Sequence, residues 1–264
     1  MNIGIIGLGA VGTANSNGFK QVGNTVKEHD IKMGTSITDI INTELVFICV
    51  PTPAAEDGSC DVSIVHTIIN DLNDLKYQGV IAIRSTCYPG FTQSIIDKYK
   101  DLHIAFAPEF LRERFADEDF LHNHNLLAVG TEDEEIFNLI THAHSFLPKN
   151  TVRLTPTEAE LLKYYNNVYA ASRVVFANIM YELCSKLNCN YTEIKNAYIK
   201  TGKATDLYLD VNDNMRGYGG MCLPKDTKAI ADLLSKHNLD FDLIKAIDSD
   251  NSKLKTTVFP GMRS

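Results

Sequence analysis

The chain has 264 residues, 44% of them hydrophobic and 22% charged, enough for one large domain or two smaller ones sharing a core. A net charge of -8 with no basic run excludes a non-specific nucleic-acid or anionic-membrane surface, and no apolar run reaches the length of a membrane span. The six cysteines follow no metal-ligand spacing and Met1-Asn2-Ile3 enters a strand without a charged leader, so a cytoplasmic protein with reduced thiols and no metal centre is expected.

Ile3 to Ile6 is a short apolar strand, followed at once by Gly7-Leu8-Gly9-Ala10-Val11-Gly12 and a helical stretch through Phe19. Strand, G-x-G-x-x-G and helix in that order form a dinucleotide fingerprint: Gly7 for the tight turn, Gly9 for the approach of the pyrophosphate, Gly12 for helix packing. Val26 to Asp30 reads as a second strand ending in an acid where a ribose-binding carboxylate belongs, and a carboxylate there favours NAD over NADP. A lone strand-end acid is ordinary loop polarity; the glycines upstream give Asp30 its role.

Further along, 46–50, 80–83, 104–106 and 126–129 are continuous apolar runs, as expected of strands covered on both faces. Between them 63–74, 92–99 and 133–147 carry helical periodicity. The alternation predicts an α/β fold with a doubly wound parallel sheet over 1–154, followed by an all-helical domain over 155–264. Ligands of such sheets sit at the carboxyl ends of the strands, where this sequence has Pro51-Thr52-Pro53, Ser85-Thr86 and Pro108-Glu109-Phe110-Leu111-Arg112.

Thr155-Pro156-Thr157-Glu158 is a capping box with proline at the first helical position. The helix it starts runs to about Leu187, some ~48 Å at the standard rise, and its many apolar positions suit a homodimer interface over 156–187. Lys163 and Asn167 lie one turn apart on one of its faces and suit an oxygen that becomes negative, although spacing alone favours a solvated lysine and a polar surface asparagine.

The stretch Gly217-Tyr218-Gly219-Gly220-Met221-Cys222-Leu223-Pro224-Lys225-Asp226 places a cysteine where a glycine-rich turn meets a new helix. Glycines without Cβ atoms would let a substrate approach the backbone, and the helix N-terminus with Lys225 would favour the thiolate of Cys222.

Together these motifs resemble the UDP-glucose/GDP-mannose dehydrogenase family, which oxidises the primary alcohol of a nucleotide sugar to a carboxylate with two NAD. The matches are Gly7 to Gly12, Val50-Pro51-Thr52-Pro53 with Asp57-Gly58, Ser85-Thr86 with Pro89-Gly90-Phe91-Thr92, Ala107 to Glu113, Glu160 to Asn167, and the cysteine stretch. The resemblance implies that Cys222 captures the aldehyde and carries a thioester. It implies that Lys163 and Asn167 stabilise oxyanion character, that Asp226 orients Lys163 and helps activate water, that Glu109 assists hydrolysis and that Thr86 holds a water. Phe110, Leu111, Arg112, Tyr218 and Gly219 would contact the sugar nucleotide, with Lys163, Asn167 and Cys222. Val50, Pro51, Thr52, Ser85, Thr86, Glu109 and Lys225 would join Gly7, Gly9, Ala10, Val11, Gly12 and Asp30 around NAD.

The sequence also departs from the family. The interval between Asp30 and Val46 is short, as if a helix and part of a strand were missing; Arg114 replaces a usual glycine, and Leu207 to Met215 differs from the usual approach to the glycine turn. After Asp242 to Asn251 relatives continue into a third domain that holds the base, so this chain is expected to work in two domains or with a separate polypeptide supplying the third. Two other readings stay open: a two-electron hydroxy-acid dehydrogenase of the 6-phosphogluconate type, which has no need of Cys222, and a non-catalytic NAD-binding remnant.

Overall fold

The structure is a computed structural model that describes residues 1–55 and 58–257; Asp57, quoted in one motif above, lies outside them. The chain forms two compact units, Met1–Pro53 with Cys60–Lys163, and Ala54–Ser59 with the chain from Tyr164 onward.

The first unit is built on a sheet of β1 (Asn2–Ile6), β2 (Thr25–His29), β3 (Leu45–Ile48), β4 (Val80–Ile83), β5 (His103–Phe106), β6 (Leu127–Gly130) and β7 (Thr151–Leu154), in the order β2-β1-β3-β4-β5-β6-β7. Every residue of β3 and β4 is buried, which is why these strands read as unbroken apolar runs instead of alternating ones. One face of the sheet buries Ile3, Ile5, Phe19, Phe47 and Phe120; the other buries Ile6, Ile48, Ile69, Ile81 and Ile83. Helices α1 (Ala10–Gln21), α2 (Ser63–Asp74), α3 (Phe91–Lys98), α4 (Ala116–Leu121) and α5 (Glu134–His144) complete the unit.

The sheet differs from the all-parallel expectation at one junction. Strands β1 to β5 are parallel, but β5 pairs with β6 antiparallel through Phe106 and Gly130 before β6 and β7 run parallel again. The connection between β5 and β6, residues 107–126, holds only the single turn Glu113–Phe115 and the six-residue α4, and it delivers β6 to the sheet in the reversed direction. Strand β7 was not anticipated, because four residues of alternating exposure carry a weak signal. Residues 31–44 hold two single-turn 3-10 helices, Ile31–Met33 and Ile37–Ile40, and β2 is left at the sheet edge.

Helix α6 (Pro156–Lys186) starts at the expected capping box: Thr155 N donates to Glu158 at 2.8 Å and Glu158 N to Thr155 Oγ1 at 3.3 Å. Its first turns belong to the sheet unit. Ala159 is wholly buried in the sheet core, and Glu160, also wholly buried, accepts from Gly90 N at 2.6 Å and Thr92 N at 2.7 Å, capping α3. By packing, the sheet unit therefore extends to Lys163, inside α6, so the first two turns of the helix lie with the sheet.

The second unit contains the rest of α6 with α7 (Tyr191–Ile199), α8 (Leu223–Lys236) and α9 (Leu243–Ser252). It has two small cores, one of Ala177, Cys184, Tyr191, Leu209 and Val211 and one of Ala171, Val175, Tyr218 and Ile247. Among the described residues no helix is long and apolar enough to cross a membrane.

Candidate functional site

The loop from β1 into α1 is shaped by sterics. Gly7 has φ +88°, and a Cβ there would stand 2.8 Å from the carbonyl oxygen of Cys49; a Cβ on Gly12 would stand 1.8 Å from the oxygen of Gly7. Both positions exclude a side chain because the protein's own backbone occupies the space. Gly9 differs: it has an ordinary φ of -72°, and nothing lies within 4 Å of where its Cβ would be. The first bond of the α1 ladder is Thr13 N to Gly9 O, so the N–H groups of Ala10, Val11 and Gly12 precede it. Open space at Gly9 next to these N–H groups fits a pyrophosphate.

Asp30, just past β2, accepts Leu8 N at 2.7 Å on one oxygen and Lys32 N at 2.9 Å on the other. The bond from Leu8, then that from Lys32, hold its carboxyl below the usual range, so it is ionised at neutral pH and keeps lone pairs for ribose hydroxyls. At the ends of β3 and β4, Ser85 Oγ donates to Val50 O at 2.7 Å and Thr86 O accepts from Cys60 Sγ at 3.2 Å; Thr52 is buried and Pro51 exposed. Cys49, at the same edge, is a buried thiol pushed up to about 12 by desolvation, so it stays protonated.

Past β5, Glu109 is buried and accepts Leu111 N at 2.6 Å. Lys163, 3% exposed, donates to Glu109 Oε1 at 2.8 Å and to Glu109 O at 2.6 Å, with its ammonium 5.9 Å from the centre of the Phe110 ring. Arg112 is held by Asp119 through Nε at 2.9 Å and Nη2 at 2.6 Å, and its guanidinium stacks on Phe115. Burial works to raise the Asp119 carboxyl, but the bonds from Arg112 outweigh it and keep it low.

In the second unit Asn167 Nδ2 donates to Asp226 Oδ2 at 2.6 Å, and Lys225 Nζ donates to Asp226 Oδ1 at 2.6 Å. Asp226 is wholly buried, and Asn167 is 5% exposed. Asn166 Nδ2 donates to Asn167 Oδ1 at 2.9 Å, which fixes the amide's orientation. Cys222 is the N-cap residue of α8, with Pro224 in the first turn; its thiol is exposed, and Asp226 N donates to its carbonyl at 2.9 Å. The resemblance gives Asp226 the task of orienting Lys163. Within the first unit that ammonium is held by Glu109, and within the second Asp226 holds the amide of Asn167.

The glycines before Cys222 have a different cause from the one expected. A Cβ on Gly217 would meet Asn251 Oδ1 at 2.8 Å, and one on Gly219 would meet Thr256 Cγ2 at 2.5 Å. They admit a neighbouring segment of the same unit, where an approaching substrate was anticipated. Tyr218 is buried beside Ile247.

Sequence reasoning gave no role to three buried polar residues. Glu160 caps α3 one turn before Lys163, and burial raises its carboxyl against the bonds from Thr92 and Gly90. Arg84, 3% exposed at the end of β4, stacks on Phe47 and donates to His144 Nε2 at 3.0 Å, while His144 Nδ1 donates to Ile140 O at 2.8 Å. The position of Arg84, directly before Ser85-Thr86, was the only available signal.

Residues 25–145 match the NAD binding domain and residues 157–253 the central domain of the UDP-glucose/GDP-mannose dehydrogenase family. The UDP-glucose 6-dehydrogenase of Rickettsia felis is 29% identical over 223 residues, which cover 81% of this chain and 49% of the relative. A UDP-glucose dehydrogenase from Pyrobaculum islandicum shares the fold with a TM-score of 0.85 at 24% identity, over 96% of this chain and 68% of its own. The 3-hydroxyisobutyrate dehydrogenase of Mycobacterium tuberculosis shares it at 0.77 and 14% identity, over 96% and 92%. At these identities the two structures speak for the fold alone, and the chain spans about half the length of the curated relatives it matches. Both domain matches fall in one family and together account for most of the sequence, so the chain belongs to the UDP-glucose/GDP-mannose dehydrogenase family, with its NAD binding domain and its central domain.

Proposed function

We propose that the chain performs the NAD-dependent, four-electron oxidation of the primary alcohol of a nucleotide sugar, of the UDP-glucose kind, to the uronic acid. Bound NAD supplies a hydride acceptor for each of two oxidations. The Gly7–Gly12 loop and the α1 N–H groups hold its pyrophosphate, and Asp30 accepts from its ribose hydroxyls. Val50, Pro51, Thr52, Ser85, Thr86 and Lys225 complete its surroundings, and Phe110, Leu111 and Arg112 contact the sugar nucleotide.

Lys163 and Asn167 donate to the oxygen of the reacting carbon as it gains negative charge. The Cys222 thiolate adds to the aldehyde carbon, making a C–S bond and a thiohemiacetal; loss of the second hydride leaves a thioester. Water held near Thr86 then attacks the thioester carbon, with Asp226 taking its proton and Glu109 assisting. The C–S bond breaks, and carboxylate and thiol are restored. A thiol carrier suits this chemistry because an unbound aldehyde would hydrate or escape.

The observation that supports the reading most is the wholly buried Asp226, held by the Asn167 amide and the Lys225 ammonium at the start of the helix that Cys222 caps. Burying a carboxylate with such partners is costly for stability and typical of a reaction site. A second reading, two-electron oxidation of a small hydroxy acid, draws on the shared fold of the 3-hydroxyisobutyrate dehydrogenase, whose length this chain nearly matches. In that reading Cys222 is dispensable.

We also propose a homodimer through α6, because Tyr165, Tyr169, Phe176, Ile179, Leu183 and Leu187 are 48–71% exposed at spacings that share one face. The six cysteines, none in a disulfide, fit the cytoplasm. The test is NADH absorbance with UDP-glucose, GDP-mannose and 3-hydroxy acids, with and without candidate partner polypeptides. Turnover of a nucleotide sugar is expected; normal NAD binding with no nucleotide-sugar turnover in any arm would sink the reading.

A further inference from the structure

The turn that carries Cys222 contains no helix or strand between the Asn212–Met215 bridge and α8, and the isolated Gly217–Thr256 bridge ties it to another part of the unit. Asn251, in the last turn of α9, presents both ends of its carboxamide to the backbone of Tyr218. Its Oδ1 accepts Tyr218 N at 2.9 Å, and its Nδ2 donates to Tyr218 O at 3.0 Å. The chain after α9 extends this pairing. Gly217 N donates to Lys255 O and Thr257 N to Gly217 O, both at 3.0 Å, and Arg216 N donates to Thr257 Oγ1 at 2.6 Å. The absent side chains of Gly217 and Gly219 leave the room that Asn251 and Thr256 occupy. Tyr218 anchors the turn from below, packed with Ala171, Val175 and Ile247.

We propose that Asn251 is a positioning residue for Cys222. Three residues separate the clamped Tyr218 from Cys222, so the clamp sets where the sulfur stands at the N-terminal end of α8. The influence of a helix N-terminus on a thiol is confined to the first turn, which makes thiolate content sensitive to that placement. The same clamp couples the thiol to the path of the chain after α9. The inference rests on the proposed role of Cys222 for its catalytic meaning, but its test needs neither sugar nor NAD.

The test is iodoacetamide alkylation of the whole chain across pH, read by peptide mass spectrometry, in Asn251→Ala, the near-isosteric Asn251→Asp and Thr257→Val. Alkylation of Cys222 at pH 7 should fall about fivefold in both Asn251 variants, and the pH of half-maximal rate should rise. Thr257→Val should shift both in the same direction. Cys189, exposed and outside the clamp, should keep its rate and serves as the internal reference. Should an Asn251 variant also expose the buried Cys184, it has lost its fold and Thr257→Val decides the question. Wild-type rate and pH dependence at Cys222 in the folded variants would overturn the proposal. Altered alkylation without sugar turnover would leave the positioning intact and count against the catalytic reading alone.

Discussion

Gly9 and Gly12 belong to one motif yet should fail in different ways when replaced. At Gly12 a methyl group would meet the backbone oxygen of Gly7 at 1.8 Å, so α1 must shift off the sheet. Gly12→Ala should cost about 3 kcal/mol or more and lower the thermal midpoint by about 6–12 °C. At Gly9 the space is open and φ is ordinary, so Gly9→Val should fold with an unchanged midpoint and lose NAD affinity by at least about tenfold. Calorimetric titration with NAD beside a thermal melt separates the two; a Gly9→Val protein that binds NAD normally would contradict the placement of the pyrophosphate. The motif was legible because its spacing is local. The distant partners of Glu109, Glu160 and Asp226 were not, since each carboxylate takes at least one bond from a group dozens of residues away, and nothing in the nearby sequence announces which one.

Among elements, α6 was the easiest to read and serves two purposes. Its capping box and proline fix its start to the residue, and its length follows from the lack of glycine or further proline through Lys186. Its first turns fasten to the sheet through Ala159 and Glu160, so the sheet unit packs as far as Lys163. Periodicity could not show this, because an apolar position looks the same whichever neighbour buries it. Further along, Phe176 is 60% exposed in the middle of the apolar stripe. Phe176→Glu should therefore convert a dimer to a monomer in sedimentation velocity while the melt stays within a few degrees; a wild-type chain that is already monomeric at micromolar concentration would refute the interface. The elements that escaped the sequence, β7 and α4, are short, and the reversal at β6 rests on a single antiparallel pair, Phe106 with Gly130, that no local pattern signals.

For the molecule as a whole, two buried histidines make stability fall on the acid side of neutrality. Burial, then the Arg84 cation, pushes His124 down to about 4 from its ordinary 6.5, and the same causes hold His144 well below that value. Both are neutral in the folded chain and titrate normally when unfolded. The unfolded state therefore binds more protons below pH 6.5, and stability is lost as pH falls through that value toward 4. His124 alone should account for about 2 kcal/mol between pH 7.5 and 5. Urea unfolding at the two pH values measures it, and His124→Leu should flatten the dependence; equal slopes in both proteins would contradict it.

The fold class, the NAD loop and the order of motifs were visible in the sequence because they rest on period and spacing. The clamp on the cysteine turn and the Arg84–His144 pair were not, because they exist only once distant segments meet. The most direct measurement is the ratio of NADH formed to sugar consumed with UDP-glucose, for the wild-type chain and for Cys222→Ser. A ratio of two, with turnover lost or strongly slowed in the variant, is predicted; a ratio of one that Cys222→Ser leaves unchanged would contradict the account.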